Sequence, residues 1–416
     1  MGLKLSQQIF EGTWLMKTAS ILFLTLIVIS GAVPAAQADY APLAAADNNF
    51  AFKLLKQLVK EEPSENIFIS PYSASTVLQM GANGAVGQTK TEMQQMLGTE
   101  NLSTADVNTA NKNIAQALND GNTNVILTTA NAIWYRQGFS IQPDFLACNR
   151  DYFDATVDPL DFADPHAVAI INHWASEKTH GRIDHIADGM IDPNNTRLFL
   201  ANAVYFKGKW ADPFDASNTK DQPFYLRDGS QKTVSMMGKF KTFTYRRGTG
   251  YQAVRLPYED GNLAMYIFLP DTNSSPERLL SIMNGHTWQQ VTKPGFNDEA
   301  GTLNLPKFRL EYSVRLKSPL QALGMKTAFD PLQADFSGIA PQLYISAVLQ
   351  KTFVEVKEEG TEAAAVTGID FENAGIEMPP PHPFEMIVNR PFLFLIEDNQ
   401  TGTILFMGVM HDPPAE

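Results

Sequence analysis

Two apolar segments near the C-terminus restrict the possible folds of this chain more than any other feature. The segments PFLFLIED and TGTILFMGVM are apolar on both faces, and the turn residues Asn399-Gln400-Thr401-Gly402 join them. A strand without a polar face has to be covered on both sides, so the two segments are predicted to form a hairpin deep in the core.

The rest of the chain changes from helical to strand-like patterns at about Val125. The first helix is expected to begin at a cap provided by Asp47 or Asn48. From Val125 onward, short β-branched or aromatic runs such as VILTTANAIWY and LAMYIFLP end at Gly, Pro or Asp, which is typical of strands. Since no repeat or linker divides the chain, we predict one mixed α+β domain over residues 47–414.

The N-terminus has the pattern of a cleavable secretory signal. A lysine precedes the apolar run 21–29, and small residues follow as far as Ala38. The run is too short to span a bilayer, for which about 20 apolar residues are needed. We therefore predict a signal peptide at residues 1–38, with Met16 as a possible true start, and a linker at residues 39–46. No membrane span is expected after the signal is removed.

Charge and cysteine content exclude several classes of protein. The formal net charge is -13, and no Lys/Arg cluster is longer than a pair, so nucleic acid and heparin are not expected partners. Cys148 is the single cysteine, so no intramolecular disulfide can form.

The motifs of common enzymes and metal sites are missing from the sequence. There is no G-x-S-x-G, H-E-x-x-H, phosphate-binding or dinucleotide-binding motif. The histidines His173, His180 and His185 are seven and five residues apart, and neither spacing places two rings on adjacent turns of one helix face. We therefore expect no catalytic activity, no metal and no cofactor.

The segment 360–372 is rich in small residues. With the two-residue period of a strand, its charged side chains fall on one face and uncharged ones on the other. Small residues form a weak strand but enter easily between strands that already exist. A strand able to insert, a surface helix and a mobile loop are all compatible with this composition.

The segment VEVKEEGTEAAAVTG, residues 354–368, resembles the hinge of the reactive loop of serpins. Other blocks are similar to serpin motifs in the same order, including NIFISPYSASTVLQMGANGAVGQTKTEM, LANAVYFKGKWADPF, LPKFRLEYSVRLKSPLQALGM and RPFLFLIEDNQTGTILFMGVM. The resemblance implies three β-sheets, eight or nine helices and an exposed reactive loop at about 358–385. It also implies that a protease cleaves this loop, which then inserts into the largest sheet with the protease still attached.

The resemblance also implies roles for individual residues. The hinge would comprise Glu359, Gly360, Thr361, Glu362, Ala363, Ala364 and Ala365. The residues that match positions where the sheet opens are Ser70, Ser73, Asn202, Trp210 and Gln350. The family often has a histidine at the position of Gln350, so pH switching by that side chain is expected to be lost.

Two ways of locating the cleaved bond disagree. In serpins the scissile residue usually lies fourteen positions after the hinge glycine, which points to Ala374 and cleavage before Gly375. Counting back from Pro391 instead gives a proline, because the loop is about six residues longer than the common pattern. We prefer Ala374, with Ile376 and Met378 as alternatives.

The sequence thus predicts a secreted suicide inhibitor of serine proteases, extracellular or periplasmic, monomeric, and of the secreted bacterial type. Ala374 suits elastase-like or subtilisin-like targets, and Met378 would suit a chymotrypsin-like one. The alternative is a non-inhibitory member of the family that acts as a carrier or a chaperone-like binder.

Overall fold

A computed structural model describes residues 40–119, 125–259, 261–361 and 382–414. The helices in these ranges are α1 (Ala41–Glu61), α2 (Pro71–Ala82), α3 (Gly87–Leu97), α4 (Thr104–Asn119), α5 (Pro143–Phe153), α6 (Ala167–Lys178), α7 (Pro276–Ile282), α8 (Gly285–Thr287) and α9 (Lys317–Ala322). Four short turns of 3-10 or π-helix accompany them, at Ala216–Asn218, Trp288–Thr292, Lys293–Gly295 and Thr327–Phe329.

All of the strands in the described residues except β1 lie at or after Val125, as the sequence predicts. They are β1 (Ile67–Ile69), β2 (Val125–Arg136), β3 (Thr156–Leu160), β4 (Leu198–Lys209), β5 (Lys220–Tyr225), β6 (Gln231–Gly248), β7 (Tyr251–Pro257), β8 (Leu263–Pro270), β9 (Asn297–Pro306), β10 (Phe308–Arg315), β11 (Ile345–Lys357), β12 (Gly360–Thr361), β13 (Phe384–Ile387), β14 (Phe392–Asp398) and β15 (Ile404–Met410).

Helix α1 begins earlier than the sequence analysis predicts. It starts at Ala41, so residues 41–46 belong to the helix and are not a linker. Pro42 lies in the first turn, where a missing backbone N–H costs nothing, and Leu43 is buried. Asp47 and Asn48 are buried side chains within the helix and do not cap it.

The main sheet has six strands in the order β10-β11-β12-β4-β2-β3. Its two faces pack on separate apolar clusters because side chains alternate along each strand. Leu200 and Val204 of β4 belong to the large core beneath the sheet. Ala201 and Ala203, on the other face of β4, belong to a smaller cluster with Trp174 of α6.

Strand β6 is 18 residues long and joins two sheets into one continuous nine-stranded arrangement. Its first part pairs with β5 and β9, and β13 extends that sheet beyond β9. Its end pairs with β7, from which the order continues β8-β14-β15-β1. With the six-stranded sheet these make three sheets, so the α+β architecture that the resemblance implies is confirmed.

The C-terminal hairpin lies where its composition predicts. Every residue of β14 and β15 is buried, and β14 pairs with β15 on one side and with β8 on the other. In the turn between them, the carboxylate of Asp398 accepts a hydrogen bond of 2.7 Å from the backbone N–H of Thr401. None of the helices in the described part of the chain combines the length and the apolar character needed to cross a membrane.

Candidate functional site

In the main sheet, β4 and β11 pair directly along most of their length and are separated from each other at their C-terminal ends. The two strands pair directly and in parallel as far as Tyr205 opposite Phe353. Above that pair, the two-residue strand β12 lies between them and is antiparallel to both, with Thr361 opposite Val356 on one side and Gly208 on the other. The start of the predicted hinge is therefore already a strand of the sheet.

Gly360 can occupy its position in β12 because it has no side chain. Its φ of 149° is unfavourable for other residues. A Cβ atom there would lie 2.2 Å from the carbonyl oxygen of Gly208 and 2.5 Å from Cα of Lys209. Both neighbours are backbone atoms of β4, so a larger residue would push the two strands apart.

Thr361 is fully buried between the separated strands. Its Oγ1 shares a hydrogen bond of 2.9 Å with the hydroxyl of Tyr258. The ring of Tyr258 stacks on Trp210 with centroids 4.7 Å apart, and it meets the ring of Phe206 edge to face at 5.0 Å. The packing of these aromatic rings fixes the position of the hydroxyl that Thr361 contacts.

Trp210 also holds the turn that leads from β11 into β12. Its backbone N–H donates to the carbonyl of Glu359 at 3.0 Å, and its indole Nε1–H donates to the carbonyl of Lys357 at 3.0 Å. The backbone N–H of Phe214 donates to the carbonyl of Glu358 at 2.8 Å. Three successive carbonyls of the turn are thereby satisfied by one segment of the chain.

The side chain of Glu358 holds the same turn against the residue before β5 and the residue between β9 and β10. Its carboxylate accepts a hydrogen bond of 2.7 Å from the hydroxyl of Thr219 and lies 3.4 Å from the ammonium of Lys307. Burial by itself would raise the pKa of Glu358, but the hydrogen bond from Thr219 and the charge of Lys307 outweigh it. The pKa is therefore below its ordinary value, and the group is ionised at neutral pH.

A row of amide side chains crosses the sheet lower down, where β4 and β11 pair directly. Asn131 of β2 is opposite Asn202 of β4, which is opposite Gln350 of β11. The Nδ2 of Asn202 donates to Oδ1 of Asn131 at 2.8 Å, and the Nε2 of Gln350 donates to Oδ1 of Asn202 at 2.8 Å. The second of these bonds crosses the line along which a new strand would have to enter.

The serines at the start of α2 join this row from beneath the sheet. Gln350 accepts from the backbone N–H of Ser70 at 3.0 Å and donates to the carbonyl of Ser70 at 2.8 Å. The hydroxyl of Ser70 donates to the carbonyl of Leu405 at 2.7 Å, and that of Ser73 accepts from Asn202. Gln350 thus makes hydrogen bonds as both donor and acceptor, as a neutral amide can at any pH.

The structure places the sequence-predicted residues that it describes in two groups. Trp210, Glu359, Gly360 and Thr361 meet at the divided end of the sheet, while Ser70, Ser73, Asn202 and Gln350 meet where β4 and β11 pair directly. The other predicted hinge and cleavage residues, Glu362, Ala363, Ala364, Ala365, Ala374, Gly375, Ile376 and Met378, lie outside the described residues.

Four contributors to these two groups were missed by the sequence analysis: Asn131, Tyr258, Lys307 and Glu358. Lys307 and Glu358 both lie within quoted motif blocks, but their pairing across 51 positions has no signal in spacing. In the described ranges there is no group of three or more acidic, histidine or cysteine side chains placed to hold a metal ion.

The main sheet is thus divided at one end by β12, and hydrogen-bonded side chains join β4 and β11 where these two strands pair directly. The sequence matches the family described as serpin (serine protease inhibitor) over residues 45–413. The chain therefore belongs to the serpin family.

Individual relatives cover nearly the whole domain. The chain is 37% identical to the leukocyte elastase inhibitor of Sus scrofa, over 89% of this chain and 99% of that protein. It is 35% identical to an uncharacterized serpin-like protein of Methanosarcina acetivorans, over 90% of this chain and 87% of that protein. The structure is also similar to that of the thermophilic serpin tengpin in the native state, with 32% identity, a TM-score of 0.81, and coverage of 90% of this chain and 94% of the other.

Carrier proteins are found among the similar structures as well. Human thyroxine-binding globulin in complex with its ligand superposes with a TM-score of 0.82 at 26% identity, over 91% of this chain and 100% of the other. Membership of the family is thus compatible with inhibition of serine proteases, as in relatives with inhibitor names, and with ligand transport.

Proposed function

We propose that this protein is a secreted suicide inhibitor of serine proteases that traps its target by inserting the cleaved loop between β4 and β11. The observation that carries the proposal is the position of β12, which occupies the upper end of this seam with Gly360 and Thr361. A chain that only displayed its loop as a binding surface would have no need of a buried threonine between two strands of the main sheet.

The geometry of insertion explains how a protease would be disabled. Residues 361–372 as a strand at about 3.3 Å per residue make an arm of roughly 40 Å. An acyl-linked protease at the end of this arm would be dragged along the sheet as the arm enters. Displacements of about 1 Å already slow catalysis strongly, so the acyl bond would persist. New ladder hydrogen bonds, each contributing about 0.5 to 1.5 kcal/mol, would drive the step.

We assign the cleaved bond to Ala374-Gly375, because the length of the arm is what insertion constrains. The small side chain of Ala374 would fit the shallow specificity pockets of elastase-like or subtilisin-like proteases. Ile376 and Met378 remain the alternatives, and Met378 would select a chymotrypsin-like target.

The proposal is tested by mixing the mature chain separately with elastase, subtilisin and chymotrypsin and running denaturing gels. Trapping predicts a band at the summed mass of inhibitor and protease that resists boiling in detergent. It also predicts release of a 42-residue peptide that begins at Gly375. Cleavage without any covalent band would refute inhibition and favour the carrier or chaperone-like alternative.

A pair of arginine variants separates the question of mechanism from that of the cleaved bond. Ala374→Arg should turn the protein into a trap for trypsin, whereas Met378→Arg should not. If Met378→Arg traps trypsin and Ala374→Arg is only cleaved, the mechanism holds and the bond assignment is wrong.

We also propose that the chain is exported and processed after Ala38. The support is the apolar run 21–29, which the small residues before Asp39 follow. Expression of the full sequence in a bacterial host should release a protein whose N-terminal residue is Asp39. Retention of the full-length chain inside the cells would contradict this part of the proposal.

A further inference from the structure

One feature that the proposed function does not explain is a cavity whose lining residues do not belong to β4, β11 or β12. It has a volume of about 440 Å³ and lies between the ends of β5 and β8, the start of α7 and the segment between β13 and β14. Cavities of this size hold small organic molecules. It is open to solvent at Tyr225 and Thr272, which are both exposed.

The lining of the cavity has more positively charged than negatively charged side chains. Arg227 and Arg390 line it, together with the single carboxylate Glu277. Glu277 is already occupied, because its carboxylate lies 2.9 Å from the guanidinium of Arg227. Asp271 lies nearby, but it is held by two hydrogen bonds of 2.7 and 2.8 Å from Arg247.

Of the two arginines that line the cavity, Arg390 is the one that forms no ion pair with an acidic side chain among the described residues. Its guanidinium donates to the carbonyl of Pro270 at 2.9 Å and to the side-chain oxygen of Asn389 at 3.2 Å, and both acceptors are neutral. Burial and the nearby charge of Arg247 lower the pKa of Arg390, whereas the charge of Asp271 acts to raise it. An anion bound beside this guanidinium would offset the cost of burying its charge.

His411 adds a second polar group that lacks a partner. The residue is only 4% exposed, and neither ring nitrogen has a hydrogen-bond partner among the described residues. The nearest acidic atom is Oε1 of Glu277, 3.7 Å from Nε2, which is beyond hydrogen-bond distance. Buried polar atoms are nearly always satisfied, so an unpaired imidazole that lines a cavity indicates a ligand or ordered solvent.

The remaining wall is apolar or weakly polar. Pro270, Pro276, Pro391 and Leu226 provide apolar surface, and the neutral polar residues of the wall are Tyr225, Thr272, Ser274, Ser275 and Asn389. A ligand that is complementary to this lining needs a compact apolar part in addition to an acidic group.

We propose that this cavity binds a small organic anion, with its acidic group between Arg390 and His411 and its apolar body against the prolines. This site is separate from the seam between β4 and β11, and it does not depend on whether the chain inhibits proteases. The chemistry of the wall favours a carboxylate or sulfonate on an aromatic ring system over an inorganic anion, which would leave the apolar surface in water.

The test compares two fluorescent probes that differ in charge: 8-anilino-1-naphthalenesulfonate and its neutral analogue N-phenyl-1-naphthylamine. Titration of the mature chain should give saturable binding of the sulfonate, with a Kd on the order of 10 µM, and at least ~10-fold weaker binding of the amine. Arg390→Gln should weaken the sulfonate about tenfold and leave the amine unchanged.

Two further variants keep the proposal open to refutation. Arg278→Gln removes the same charge from an adjacent cavity that Arg390 does not line, so it should change neither titration. Thr272→Glu adds a negative charge at the exposed mouth and should weaken only the sulfonate, even if Arg390→Gln fails to fold. Equal affinity for the two probes, or a loss caused by Arg278→Gln and not by Thr272→Glu, would overturn the proposal.

Discussion

The hydroxyl of Tyr258 lies 2.9 Å from Oγ1 of Thr361, and this contact joins the residue that follows β7 to the two-residue strand β12. Tyr258 follows directly after β7, whereas Thr361 lies between β4 and β11. The contact therefore links the start of the predicted hinge to a segment next to the other sheet, which contains β7 but neither β4 nor β11.

A charged residue at Thr361 should convert the inhibitor into a substrate. Thr361→Arg would place an unpaired cation in a fully buried position, which costs several kcal/mol and opposes entry of the arm. Denaturing gels with a target protease should show at least ~10-fold more cleaved inhibitor per covalent complex. Thr361→Ser, which keeps the hydroxyl that contacts Tyr258 and adds no charge, is the control and should retain most of the trapping.

The ion pair of Glu358 and Lys307 is expected to hold the turn before β12 in place. Glu358→Lys would set two cations about as close as the present pair and should lower stability by about 2 kcal/mol. A urea gradient should show an earlier transition, and the double variant Glu358→Lys with Lys307→Glu should recover part of the loss. If the double variant is no better than the single one, the pairing does not stabilise the turn.

The same pair has a predictable pH dependence. Because the pKa of Glu358 is lowered in the folded protein, the stability it contributes is present above its ordinary value near 4.5 and is lost as pH falls below that value. Thermal midpoints of the parent and of Glu358→Gln should therefore converge in acid and differ at neutral pH. A constant difference between the two across this range would contradict the assignment.

Replacement of Gln350 by histidine should introduce a pH switch that the present chain lacks. A neutral imidazole can both accept from the N–H of Ser70 and donate, but the protonated ring can only donate. The folded state would then disfavour the protonated form, so stability should fall as pH drops below about 6.5, by about 2 kcal/mol at pH 5. Gln350→Leu, which cannot titrate, is the control and should show the same offset from the parent at both pH values.

Asp47 should make the protein less stable as pH rises towards neutrality. Burial raises the pKa of Asp47 to about 7, against which the hydrogen bonds from Ser75 and Gln79 act only in part. The folded state therefore binds a proton that the unfolded chain has lost above about pH 4, and stability falls between pH 4 and 7 by on the order of 4 kcal/mol.

Asp47→Asn removes this titration but retains an acceptor for Ser75 and Gln79. Its thermal midpoint should exceed that of the parent at pH 8 and approach it at pH 4.5. Parallel curves for the two proteins across this range would show that Asp47 does not titrate as described.

The sequence predicts those parts of the fold that depend on local pattern. The apolar hairpin of β14 and β15 and the change to strands after Val125 are visible in composition and periodicity, whereas the hinge was placed only by its resemblance to serpins. The same resemblance placed Gly360 at the start of the hinge, and the structure supplies the physical reason, since a Cβ atom there would collide with the backbone of β4.

The remaining features depend on contacts between residues far apart in the chain. Tyr258 is separated from Thr361 by 103 positions, and Asn131 from Asn202 by 71, so neither pairing has a local signal. The early start of α1 was missed for a different reason, since Leu43 is helical because the core buries it, and the sequence before Asp47 is otherwise typical of a linker.

The central claim is that trapping requires β4 and β11 to separate, and a reversible cross-link between them tests it most directly. Ala201 and Leu349 are paired residues on these strands, at a separation that paired strands share with disulfides. Cysteines at both positions, in a Cys148→Ser background, should form a bond that locks the seam.

The measurement is the yield of covalent complex with a target protease before and after reduction of this cross-link. We predict that the oxidised protein is cleaved without trapping and that reduction restores the complex to the level of the Cys148→Ser parent. An equal yield of complex from the oxidised and reduced forms would show that insertion between β4 and β11 is not the step that disables the protease.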